Sequence, residues 1–290
     1  MRLRRAILPG VFSVFAATHA QASENAAVPP EPPQAEHAPG EPPGCAGSFS
    51  VFHPKPSACL AAIDTDRPHK TDTPKVLDPG HAQVEMGVVE YGIERLGAPS
   101  DNSLVLMNNI YKLGVMYRVD IEALSATGSY AVRSKRFRLD SQIMFRSKLN
   151  VLGGDGHELS VTLVPAMVAP LTRPSTMEAG GFVFIGGELP GHFEFELNVG
   201  GLSESDPGLG RHFAPVVTGA LTRNLVGPVT GFVEWYNDTA TSNLRRWNAT
   251  ADTGLLFLLS RDVQLDAGAY VGLWGTVPAL TPFFGVSARL

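Results

Sequence analysis

The chain has 290 residues, of which 44% are hydrophobic and only 18% charged, with 30 glycines and 23 prolines. Long stretches rich in Ala, Glu, Lys and Leu are missing, so the balance favours β structure with many turns. Three arginines, Arg2, Arg4 and Arg5, crowd the first five positions; without them 20 basic residues face 28 acidic ones, which argues against a nucleic-acid partner.

The opening stretch "MRLRRAILPGVFSVFAATHAQA" has a basic start, an apolar run from Ala6 to Ala17 and a small-x-small ending at Ala20-Gln21-Ala22. Residues 1–22 therefore read as a cleaved secretory signal, too short for the ~20 apolar residues of a spanning helix. Residues 23–44, "SENAAVPPEPPQAEHAPGEPPG", read as a disordered Pro-rich spacer. Residues 45–80 are short polar pieces broken by prolines, expected to form a periplasmic N-terminal segment. The two cysteines, Cys45 and Cys59, lie here; in an exported chain a disulfide is expected, and closing so short a loop contributes about 3 kcal/mol. With no His or further Cys at ligand spacing, no metal or other cofactor is expected.

From His81 onward no segment is hydrophobic for 18 residues, which excludes helical membrane spans. Alternation takes over. "VQLDAGAYVGLW" sets Val263, Leu265, Ala267, Ala269, Val271 and Leu273 against Gln264, Asp266, Gly268, Tyr270 and Gly272. "HFEFELNVG" and "RFRLDSQIMFRSK" repeat the pattern. Tight turns at "MYRVD", "LGGDGHE", "LPGH", "LVGPV" and "SRDV" alternate strictly with longer polar loops, dividing residues 81–290 into about twelve strands. An even number of antiparallel strands, short turns at one end and longer loops at the other, predicts an all-β, antiparallel transmembrane barrel of the bacterial outer membrane. The count leaves both termini on the short-turn, periplasmic side. Trp235, Trp247, Trp274 and Tyr91 fall at strand ends beside the long loops, where an interfacial aromatic girdle belongs; Trp274 has inward parity unless its strand bulges.

By the same parity the inward set comprises Glu85, Asp120, Glu122, Arg138, Asp140, Arg146, Glu194, Glu196, Glu234, Asp252 and Asp266. Charges facing lipid would cost several kcal/mol, so they line the lumen. Two readings stay open: an internal salt-bridge network that fills the barrel, or a solute path with acidic selectivity. The basic cluster Arg133 to Arg138 is a candidate for facing lipid phosphates. Catalysis is not expected. His212, near Ser203 and Ser205, is the nearest approach to a surface Ser–His pair, and no G-x-S-x-G elbow occurs. "GGDG" at 153–156 lacks the Lys-Ser/Thr of a phosphate loop and reads as a hairpin turn.

Five stretches resemble one family: "TDRPHKTDTPKVLDPGHAQVE" (Thr65 to Glu85), "LGVMYRVDIEAL", "VLGGDGHELSVTLVPAMVAP", "VGPVTGFVEWY" and "LSRDVQLDAGAYVGLWGTVPALTPFFGVSARL". The chain is similar, from about Asp64 to Leu290, to the phenol-degradation meta-pathway, or transporter-like, outer-membrane proteins. It departs from their pattern at His69, where an acid is usual, and at Leu290, where an aromatic residue usually ends the chain as part of the signal to the barrel-assembly machinery. The resemblance implies an exported barrel of transporter type, set in outer-membrane lipids; the working expectation is that it passes small molecules, hydrophobic or aromatic ones included, without an energy source. A non-conducting structural or adhesion barrel is the alternative, and a surface lipid hydrolase a further one. Asp66-Arg67-Pro68 is expected either to plug or line the lower mouth or to cap turn residues.

Overall fold

The computed structural model describes residues 45, 47–97, 101–138, 142–153, 159–170, 177–206, 210–239 and 247–290. The expected signal and spacer, His157 and Asp140 lie outside the described residues, as does the side chain of Arg138.

Alternating sequences form strands because successive side chains point to opposite faces, so one face can be dry while the other is wet. They are β1 (Ala82–Gly92), β2 (Ser103–Met116), β3 (Val119–Ala131), β4 (Arg136–Arg138), β5 (Gln142–Leu152), β6 (Leu159–Pro170), β7 (Glu178–Leu189), β8 (Phe193–Asp206), β9 (Gly210–Val226), β10 (Val229–Thr239), β11 (Trp247–Ser260), β12 (Val263–Trp274) and β13 (Leu280–Arg289). Each pairs antiparallel with its neighbours, and β1 pairs with both β2 and β13, closing the sheet. Short β4 and longer β5 lie in succession along the same edge of β3, so the ring has twelve staves. Closure leaves no exposed sheet edge, the condition for crossing lipid with strands. Among the described residues no helix is long and apolar enough to cross a membrane.

The two faces differ as sharply as the alternation requires. Outward side chains are large, apolar and open: Val233 is 57% exposed, Leu255 51% and Ile121 48%. An apolar band of this extent belongs against hydrocarbon. Trp235, Trp247 and Trp274 are all exposed. Trp274 joins them because β12 bulges at Leu273: Thr250 pairs with Gly272, yet Ala249 pairs with Trp274, so one extra residue turns the indole outward.

Two-residue turns join β2 to β3, β9 to β10 and β11 to β12 at one end, while longer connections join β1 to β2 and β12 to β13 at the other. The chain before β1 caps the turn end. Cys45 and Cys59 are disulfide-bonded, with Cα atoms 5.3 Å apart. This lobe docks on the rim where Val51 donates to the Val115 carbonyl at 2.7 Å and Ile63 to that of Arg261 at 2.9 Å. Arg289, near the end of β13, reaches the Ala61 carbonyl at 2.8 Å.

Candidate functional site: a charged segment inside the barrel

Residues 64–78 leave the rim and enter the lumen. They bond to inward side chains of β1, β2, β3, β5, β6, β8, β10, β11 and β12. A peptide touching nine staves of a closed ring can only lie within it.

Asp66 is the hub. Its carboxylate meets Lys148 Nζ at 2.7 and 2.9 Å, Lys112 Nζ at 2.7 Å and Arg146 Nη2 at 3.1 Å, and accepts the Thr73 N–H at 3.0 Å. Burial would push this carboxyl up, but Lys112, Lys148 and Arg146 together hold it well below the usual carboxylate range. Behind it, Glu85 accepts the N–H groups of Asp66 (3.2 Å) and Arg67 (2.8 Å) and meets Lys112 at 2.5 Å. Arg146 also engages Glu122 and, at 2.7 and 3.0 Å, Asp72. Asp120 accepts the Leu77 N–H at 2.9 Å as the segment exits.

The other side of the segment faces β8 to β13. Arg67 reaches Asp266 at 3.1 Å and Glu90 at 3.6 Å. Room for its guanidinium comes from Gly87 and Gly285, paired across β1 and β13; a Cβ on either would stand 2.6 to 2.7 Å from its nitrogens. Glu234 accepts the N–H groups of Lys70 (2.9 Å) and Thr71 (2.6 Å) and the Thr71 hydroxyl at 2.5 Å. His69 lies edge-on to Phe232, with Nε2 3.4 Å from Glu196 and Nδ1 against the Thr71 carbonyl. Burial alone would lower the imidazole, but Glu196, Glu234 and that carbonyl raise it above its ordinary value.

The structure brings together most of the inward set read from parity: Glu85, Asp120, Arg146, Glu196, Glu234, Asp252 and Asp266 touch the segment, and Glu122 stands behind Arg146 and Lys148. Glu194 meets the segment at the turn-side mouth, half-exposed, 3.5 Å from Lys75. Sequence reasoning missed the cations that matter most. Lys112 interrupts an apolar strand and Lys148 ends the alternating stretch "RFRLDSQIMFRSK", yet both are almost fully buried beside Asp66.

The segment leaves space on one side. A cavity of about 360 Å³ opens among the turns, lined by Asp64, His69, Lys75, His192, Glu194 and Arg223 among others. His212 and its neighbouring serines lie on different faces: Glu204 pairs with His212, so Ser203 and Ser205, one residue either side, point to the opposite face of the sheet. Ser203 Oγ instead accepts from Arg211 at 3.3 Å. Among the described residues no His, Cys, Asp and Glu cluster is arranged to hold a metal ion.

Among solved structures, the NanC porin matches 72% of this chain and 100% of its own length, at 10% identity and a TM-score of 0.51. The KdgM porin covers 71% of this chain and 98% of its own, at 8% identity and a TM-score of 0.47. Among curated proteins none matches. The former likeness establishes the porin-type barrel fold. A family model described as "Putative MetA-pathway of phenol degradation" matches residues 65–290, which takes in the whole barrel and the segment inside it. This porin-like barrel of the outer-membrane type belongs to that family.

Proposed function

We propose that the protein is a passive outer-membrane channel for small solutes, constricted by its own residues 64–78, with both termini in the periplasm. The observation that carries this reading is how the segment is held: by ion pairs and hydrogen bonds to nine strands, contacts that water and a polar solute can replace. Acids outnumber bases on the wall it touches, Glu85, Asp120, Glu196, Glu234, Asp252 and Asp266 against Lys112, Arg146 and Lys148, which favours cations. The orientation follows from β1 starting and β13 ending at the short-turn end, the end that faces the periplasm in barrels of this class. Lipid covers the outward band, and the barrel-assembly machinery inserts the strands. The reading contains no catalytic step and no cofactor.

A second reading is a sealed, non-conducting barrel. It draws on the burial of Asp66 and Lys148, at 1% and 0% exposure, which closes the hub to bulk solvent. Conductance of the purified protein in planar bilayers separates the two. A channel gives discrete steps that grow when residues 65–77 are deleted. A barrel that is silent intact, and conducts only after the deletion, is sealed.

A further inference from the structure

The Lys70 ammonium ends between two phenol rings, 4.1 Å from the centroid of Tyr270 and 4.7 Å from that of Tyr236. It donates to Thr250 Oγ1 at 2.9 Å and to Asp252 Oδ2 at 3.0 Å. Asp252 is 2% exposed, and its other oxygen, Oδ1, is buried with no hydrogen-bond partner. Two π faces, a hydroxyl and a carboxylate make a recogniser of organic ammonium ions. The walls belong to three neighbouring strands, β10, β11 and β12, and all four residues lie within five positions of the loop ends. The cage therefore sits in the loop-side half of the lumen.

Lys70 fills this cage as a removable guest. Its side chain keeps 27% exposure, so water reaches it. Its backbone is fixed independently, through the Lys70 and Thr71 N–H groups on Glu234, so the ammonium can leave while the segment stays docked. We propose that Tyr236, Tyr270, Thr250 and Asp252 form a binding site for an organic ammonium solute, R–NH3+, that the Lys70 side chain occupies as a tethered stand-in until a solute displaces it. This deepens the channel reading by naming the solute class, and its physiological meaning rests on that reading.

The test uses n-butylammonium, which is the lysine side chain freed from its backbone. The detergent-folded protein, its fold checked by heat-dependent gel mobility, is titrated calorimetrically with n-butylammonium chloride against sodium chloride of equal ionic strength. Lys70→Ala is expected to bind the probe saturably and at least tenfold more tightly than the native chain, and Lys70→Ala with Asp252→Asn is expected to lose that binding. A folded Lys70→Ala that binds no better than the native chain, or equally well with Asp252→Asn, overturns the assignment. Should Lys70→Ala not fold, the same comparison on Lys70→Gln, which keeps most of the aliphatic stem, decides in the same way. Bilayer conductance is read separately: binding without conductance removes the channel and leaves the site, and conductance without binding does the reverse.

Discussion

Asp66→Asn keeps the shape of the hub and removes its charge, and the structure shows how the loss distributes. Lys112 retains Glu85 at 2.5 Å, and Arg146 retains Asp72 and Glu122. Lys148 is left with Glu122 at 3.4 Å and the Lys75 carbonyl at 3.5 Å, though it is fully buried. Breaking one partner out of a buried charge cluster costs about 3–5 kcal/mol, chiefly through the charge left uncompensated. At about 1.4 kcal/mol per tenfold, docking of the segment weakens by roughly a hundred- to a few-thousandfold. Two assays read this: single-channel recording, where openings become longer and more frequent, and limited proteolysis of residues 64–78 in the folded barrel. Asp72→Asn is the control, since Arg146 then keeps both Asp66 and Glu122, and its effect is expected to be smaller. If Asp66→Asn opens and digests like the native protein, the segment is not held by this hub and the reasoning fails.

Three further outcomes are expected. The raised imidazole of His69 means that its contribution to docking is fully present below the ordinary histidine value of about 6.5 and is lost as pH rises through the elevated one; segment release should increase towards alkaline pH in proteolysis, and His69→Gln should flatten that profile. Cys45→Ser, or reduction, should loosen the rim lobe by about 3 kcal/mol, seen as faster proteolysis between residues 45 and 63, while the heat-dependent gel shift of the barrel persists. Val233→Arg, which sets a charge on the outward face of mid-β10, should destabilise folding into lipid vesicles by about 2–4 kcal/mol in urea titration; a neutral effect would mean that this face is not in hydrocarbon.

The strands were legible because a lipid-facing side and a wet side impose a period of two that little else in a sequence imitates. The polar partition followed from it, since Glu85, Asp120, Glu234, Asp252 and Asp266 could face only inward. Trp274 was decided by geometry that parity cannot carry, a single extra residue at Leu273. Lys112 escaped notice because one cation among apolar neighbours looks like an interruption until its cross-strand partners, Gln83 on one side and Glu122 on the other, are known. The place of residues 64–78 had no periodic signature at all. What signalled it was an imbalance: the inward strand residues read from parity were nearly all acids, and the missing cations sat partly on Lys112 and Lys148 and partly on the lead-in itself, at Arg67, His69 and Lys70. His69 suits the two acids that surround it. An acid in its place would face Glu196 and Glu234, whereas the imidazole pairs with Glu196.

A peptide anchored at fixed points on nine staves is also a gauge. Its partners are drawn from β1 through β12, so it finds them all at once only after the sheet has curled to one circumference. Barrel diameter grows with strand number. One more hairpin would part Asp66 from its three cations or Arg67 from Asp266, and one fewer would leave no room for the segment between Gly87 and Gly285 and the opposite wall. The lead-in is thus matched to a ring of twelve staves: the segment inside the lumen fits the size of the ring around it.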